Sequence, residues 1–484
     1  MESLPPSRRD NPAARPGLRR KIATVAVMTG LVVSAFETTV VTSAMPTIAR
    51  ELGGLSLYAW VFSAFLVASV VAVPVFGKLA DRLGRRPVFG VGMALFLLGS
   101  VLCGTAQSMT ALVIYRVVQG LGVGAIGPIV PTISADLYTL EERAKVQGVF
   151  TAAWGLANVA GPVIGGFIVM HLSWRWIFLV NVPFGIAAVV LLSISYVDPK
   201  VRASGSKIDV VAATSLAVAL GALLLALERG LFEGLVRASM LGLAVLAGVT
   251  FYRQQRRAAD PLVPFELLVD PVVRAGTIGS VFAGALIYVP AAYVPLWVTR
   301  EAGGSALRAG AALVPMLVGW ALGSTLGVKA MVRWGMRAVA VGGMSLASIG
   351  ATALALATHQ RTPLSIVFAS LFVLGFGLGP AANSAMLGPQ VRVGWSARGV
   401  VTSLVHAARA LGGSLAVAVL GALAGDAAGI GARCFAALAV VSWCGVGVLA
   451  WISPRSSSVS PELRDPLPSA DDDDDGPITV PIRR

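Results

Sequence analysis

The 484-residue sequence predicts an all-α membrane protein of 14 transmembrane helices: two parallel-repeat six-helix bundles with two further helices inserted between them. Three observations carry that expectation. Hydrophobic residues make up 56% of the chain and charged residues 13%, against about 45–50% and about 25% in a soluble domain. Fourteen apolar stretches come near the ~20 residues that a ~30 Å hydrocarbon layer demands. The basic residues sit between those stretches instead of forming one face, so the net charge of +14 reads as membrane topology and not as a nucleic-acid footprint.

After a tail over 1–21, the first bundle, 22–197, holds the stretches Ile22–Ala44, Leu57–Phe76, Val88–Ala106, Met109–Ser134, Val146–Met170 and Trp176–Val197. The linker, 198–271, carries Ile208–Leu227 and Val236–Tyr252, then a basic, proline-bearing loop. The second bundle, 272–452, holds Val272–Val298, Ala306–Met331, Ala338–Thr358, Leu364–Leu387, Val400–Ala424 and Phe435–Ile452. The tail, 453–484, with Asp471–Asp475 and several prolines, is expected to be disordered and cytoplasmic. With both termini cytoplasmic, and residues at the ends of a stretch counted with the adjoining loop, 28 of the 38 Lys and Arg fall inside, 8 outside, and Arg116 and Arg409 deep within spans. That bias places a multi-pass protein in the cell membrane with both ends inside. The basic N-terminal cluster, with no small-residue cleavage site after the first stretch, marks that stretch as a permanent helix.

A repeat underlies the two bundles. A shift of 251 positions lays Gly148, Val149, Thr151 and Gly161 over Gly399, Val400, Thr402 and Gly412. A shift of 255 lays Gly120, Gly122 and Gly124 over Gly375, Gly377 and Gly379, and the loop Gly77–Pro87 has a degraded echo around Gly327–Arg337. Parallel halves related by an axis along the membrane normal imply a central cavity and rocking between two accessible states. Glycine-rich low complexity is the alternative source of such matches.

Other chemistries find no support. Cys103, Cys434 and Cys444 lie in apolar stretches with neither a disulfide framework nor metal-ligand spacing. His171, His359 and His406 are scattered, and no nucleophile or carboxylate pair stands at matching depth, so no enzyme site, metal or cofactor is expected. No phosphate-cradling glycine loop is present, which argues against a nucleotide-driven pump.

The run GKLADRLGRRP, Gly77–Pro87, is the most specific motif. Gly77 and Gly84 permit a tight turn between close-packed helices, Asp81 can accept from a helix N-terminus, and Arg85 can pair with a carboxylate, with Arg82 and Arg86 the other basic residues of the loop motif. The run resembles the cytoplasmic loop signature of the major facilitator superfamily. That resemblance implies that Asp81 docks on the thirteenth stretch, which begins near Gly399, that Arg85 pairs with Asp136, and that the loop latches one gating state. RVVQGLGVGA, Arg116–Ala125, and GLANVAGPVIGG, Gly155–Gly166, resemble two signatures of the proton-coupled exporters in that superfamily. In the second, Gly155, Gly161, Pro162, Gly165 and Gly166 let helices pack closely and bend, a property that ordinary small-residue packing also explains. At the positions equivalent to Gly155 and Asn158 the second bundle has His406 and Arg409. SWRWIFLVNVPFG, Ser173–Gly185, and the run Ser396–Leu423 are similar to the fourteen-helix drug:proton antiporter branch, which implies a proton gradient as the energy source.

Of 24 acidic residues only Glu37 falls well inside a span, where insertion costs about 2.5–3.5 kcal/mol. It stands in SAFETTVVTSAMP, which resembles the branch's first-helix signature except that the family usually has aspartate there. At ~1.5 Å per residue, Glu37 is ~22 Å above the start of its stretch and Arg116 ~10 Å below the opposite face, so the two share a height. The expectation is that ionised Glu37 pairs with Arg116 and that protonation releases it; a static ion pair holding two helices is the alternative. Gln119, Tyr288, Tyr293, Trp297 and Asn383 are candidate walls of a substrate cavity, although Tyr293 and Trp297 also suit interfacial anchors. The resulting expectation is a monomeric antiporter in the lipid bilayer that exchanges protons for a hydrophobic or cationic small molecule, as in multidrug efflux and drug resistance. Export of an endogenous metabolite or lipid is the alternative cargo.

Overall fold

The computed structural model describes residues 17–454 apart from 55–56, 139, 199–208, 228–233, 259–260, 262, 264, 301, 304, 361, 394–397 and 425–429. The acidic tail and most of the N-terminal tail lie outside the described residues. Among those described, regular structure is helical throughout, and 14 helical segments are long and apolar enough to cross a membrane. In order they are Leu18–Leu52, Tyr58–Ala80, Arg85–Gly104, Met109–Ser134, Ala153–His171, Trp176–Ser195, Val210–Leu227, Gly234–Arg257, Pro271–Arg300, Leu307–Met331, Arg333–His359, Leu364–Arg392, Val400–Leu423 and Arg433–Ile452, called here the first to fourteenth spans. The face of the molecule at which the first span begins is called the terminal side and the opposite face the far side.

Span boundaries differ from the sequence expectation where helices run past the apolar stretch. The first helix continues through Pro46 to Leu52, because a proline in a membrane helix is tolerated when neighbours occupy the freed backbone groups. The fifth helix starts at Leu140, well before its span. The tenth and eleventh spans run on in one helical stretch, Val314–His359, which breaks at Gly335 with φ 81° and ψ 159°.

The repeat is visible in this geometry. Gly84 turns between the second and third spans at φ 96° and ψ 159°, and Gly335, 251 residues on, makes the same left-handed turn between the tenth and eleventh. The two glycine triplets do matching work. A Cβ on Gly122 would stand 2.3 Å from the Phe96 nitrogen of the third span, and one on Gly377 would stand 2.3 Å from the Ala347 nitrogen of the eleventh. Gly120 and Gly124 press on the second span at Phe65 and Ser69, and Gly375 and Gly379 press on the tenth at Met316 and Ser324. Lipid supplies no hydrophobic drive to bring helices together, so such bare backbone contacts supply packing contacts directly.

The halves meet on the far side. The Tyr58 hydroxyl donates to the Ala292 carbonyl at 2.8 Å, its ring stacks on Tyr293, and Ser63 Oγ donates to the Ser414 carbonyl at 3.0 Å. Nearer the terminal side Trp154 of the fifth span meets Trp320 of the tenth edge-on. The seventh span flanks this seam: its Leu224 packs with Trp60, Ala64 and Val67 of the second span and Ala418 of the thirteenth.

Candidate functional site: a buried charge cluster in the first bundle

Five spans converge on Glu37. Arg116 Nη1 of the fourth span donates to Glu37 Oε1 at 2.5 Å and to Gln119 Oε1 at 2.6 Å. Its Nε donates to the Val61 carbonyl of the second span at 3.2 Å, and the guanidinium carbon lies 3.9 Å from the centre of the Phe65 ring. Asn181 Nδ2 of the sixth span donates to Glu37 Oε2 at 2.6 Å, and Gln119 Nε2 donates to Ser100 Oγ of the third at 2.8 Å. Glu37 and Gln119 are 0% exposed and Arg116 is 1%. Every member has a partner, which is what makes a charge pair sustainable in a low-dielectric interior. Both carboxylate oxygens accept, so neutralising Glu37 would loosen the first span from the fourth and the sixth together.

The terminal-side loop forms a second charged group. The Asp198 carboxylate accepts from the backbone nitrogens of Arg85 at 2.7 Å and Arg86 at 3.1 Å, capping the third span. The Arg85 guanidinium pairs with Asp136, which also accepts from the Tyr196 hydroxyl at 2.5 Å. Burial raises the Tyr196 phenol well above its usual range, against the opposing pull of Arg85, so it serves as a donor. Arg86 is exposed and Arg82 half-buried, while a Cβ on Gly77 would meet open space. The thirteenth span, on which Asp81 is expected to dock, is helical from Arg398 to Ala424, and the Asp81 side chain lies outside the described residues.

In the fifth span a Cβ on Gly161 would stand 2.1 Å from Thr39 Oγ1, and one on Gly165 would stand 2.3 Å from Ser43 Oγ, both on the first span just beyond Glu37. The Pro162 carbonyl abuts Gly310 at the start of the tenth span. Gly166 is buried, and around Gly155 there is open space. The fifth span is thereby a close bearing between the Glu37 helix and the opposite bundle.

The candidate cavity residues occupy separate places. Gln119 belongs to the charge cluster. The Tyr293 hydroxyl donates to the Val417 carbonyl at 3.0 Å. Trp297 is 2% exposed, and its indole nitrogen has no partner among the described residues. Tyr288 lies against Gly413, and Asn383 donates to the Ser324 carbonyl at 3.0 Å. Sequence reasoning missed Asn181, Ser100, Tyr196 and Asp198. Asn181 had a signal, as a lone amide in an apolar run.

Two bundles of matching internal packing, one of them holding a satisfied charge cluster, define a polytopic membrane transporter. The Major Facilitator Superfamily model matches residues 27–417, and the chain belongs to that family. It is 32% identical over 405 residues to a multidrug transporter protein of Bacillus subtilis (strain 168), MdtP, covering 82% of this chain and 74% of that one. It is also 32% identical over 413 residues to multidrug resistance protein 3 of the same organism, covering 83% and 79%. Among solved structures a D-xylose–proton symporter matches with TM-score 0.66 at 16% identity, covering 90% of this chain and 98% of that one, and shows the same fold.

Proposed function

We propose that the protein is a proton-coupled antiporter that exports amphipathic small molecules by alternating access, with both termini cytoplasmic, acting as a monomer and without a cofactor. The observation that carries the reading is Glu37, a carboxyl group buried among the helices and tied through separate oxygens to Arg116 and Asn181. Loss of the negative charge on protonation removes the ion pair and frees the first span, and return of the charge restores it; the cycle thus links a proton to a helix movement. Arg116 remains partnered by Gln119 and the Val61 carbonyl when Glu37 is neutral. The loop built on Gly84, Arg85, Asp136 and Asp198 acts as a latch on the terminal side. The multidrug names of the relatives at 32% identity support the cargo class.

The test is transport by the purified chain in proteoliposomes under an imposed pH gradient, with ethidium and 11-(dansylamino)undecanoate as probes. The gradient is expected to drive at least one probe against the proton flow, and a protonophore to abolish that movement. Movement indifferent to the gradient would overturn the antiport reading.

A further inference from the structure

Arg409 is the second arginine deep within a span of the two bundles, and it is placed very differently from Arg116. It stands nine residues into the thirteenth span, Val400–Leu423, about 14 Å into a layer of about 30 Å. Its Nε is buried without a hydrogen-bond partner, and among the described residues the guanidinium has neither an ion pair nor a hydrogen bond. The groups close enough to interact electrostatically are Tyr288 of the ninth span and His406, one turn away on its own helix. Neither supplies a carboxylate. His406 is exposed and Arg409 partly so, and the ninth span packs on this stretch of the thirteenth, with Gly284 against the Arg409 carbonyl and Tyr288 against Gly413. Accessible surface deep inside a bundle belongs to an internal space between helices. In the first bundle the equivalent residue is Asn158, which is neutral and bonded internally to the Trp154 carbonyl at 2.7 Å.

We infer that Arg409, with Tyr288 and His406 beside it, binds an acidic group of the transported molecule, so that the cargo is a lipophilic organic anion and not a permanent cation. Charge balance supports the same choice. Deep in the spans two guanidiniums, Arg116 and Arg409, face one carboxylate, and Glu37 is already occupied by Arg116. A permanent cation entering that space meets excess positive charge and no free anion, whereas a carboxylate meets an unpartnered, forked donor. An unpaired arginine is costly in the membrane and calls for a partner; here the ligand supplies it. The inference rests on the transport reading above and deepens it.

The test is equilibrium binding to the purified, detergent-solubilised protein at pH 8, where a carboxylic acid is ionised. Displacement of 11-(dansylamino)undecanoate by laurate is compared with displacement by methyl laurate, which has the same chain but no charge. Laurate is expected to compete about ten- to a hundredfold better, the range of a charged hydrogen bond. Arg409→Gln is expected to erase that difference while leaving the ester unchanged, and Arg409→Lys to restore part of it. Equal competition by acid and ester in the unaltered protein would overturn the inference, whether or not the variants fold, and so would ethidium binding that matches laurate and ignores Arg409→Gln. Because binding needs no gradient, anion selectivity without proton exchange would remove only the antiport reading. Gradient-driven ethidium efflux without anion selectivity would remove only this one.

Discussion

Among the described residues of the two bundles, one arginine in each stands deep within a span, Arg116 in the first and Arg409 in the second. Arg116 is saturated: a carboxylate, an amide oxygen, a backbone carbonyl and an aromatic face hold it, with 1% of its surface exposed. Arg409 is partly exposed and has no described hydrogen-bond or ion-pair partner. The same side chain at related depths therefore serves two ends. Inside a closed network its charge is spent on another protein group, and at an open wall it is kept for something that arrives. The repeat makes the contrast sharper, since helix contacts match across the halves while the charged residues do not.

That comparison is open to direct attack. The largest effect expected is from Arg116→Leu, which strands Glu37 as a buried uncompensated carboxylate. It is predicted to destabilise the protein by about 3–5 kcal/mol, read as a large fall in the detergent melting temperature. Arg409→Leu, which strands nothing, is predicted to stay within about 0.5 kcal/mol of the parent. Equal losses in the two variants would erase the distinction. Next in size is Asn181→Ala, which removes the donor on the second Glu37 oxygen; a loss of about 1.5–3 kcal/mol is expected from a hydrogen bond to a charged group.

The helix that bears on Glu37 gives a finer probe. Gly161→Ala forces a methyl group onto Thr39 and is expected to cost about 1–3 kcal/mol, whereas Gly155→Ala, with open space around it, should be close to neutral in the same melting assay. The smallest effect is expected at the latch, where Asp198→Ala removes the cap of the third span at a cost of about 1 kcal/mol. A loss there as large as that of Arg116→Leu would move the centre of gravity from the charge cluster to the loop.

Much of this was legible in the sequence because membrane spans obey a length rule and intramembrane charges are scarce. Glu37 and Arg116 stood out as rare charges within spans, and helix rise alone put them at one height. The repeat could be read from glycines because each removes a side chain that a neighbouring backbone occupies, and Gly84 and Gly335 even share a backbone conformation. Less legible were the neutral partners. Asn181 and Ser100 carry no charge, and whether they meet Glu37 or Gln119 depends on helix rotation, which spacing along the chain does not fix. The candidate cavity residues show the same limit. Tyr293 and Trp297 are polar aromatics in an apolar run, but only three-dimensional packing reveals that one closes the far-side seam and the other is buried. Asp198 lies at the end of the sixth span, and its capping of the third is a long-range contact that no local pattern announces.

The central claim is that the Glu37 carboxyl carries the coupled proton, and proton movement is its most direct readout. Proteoliposomes holding a pH-sensitive dye are challenged with 11-(dansylamino)undecanoate, and unaltered protein is compared with Glu37→Gln and Glu37→Asp. Probe-dependent proton flux is predicted in the unaltered protein, reduced in the aspartate variant and absent from the glutamine variant even where that variant still binds probe. Undiminished probe-dependent proton flux through Glu37→Gln would contradict the account.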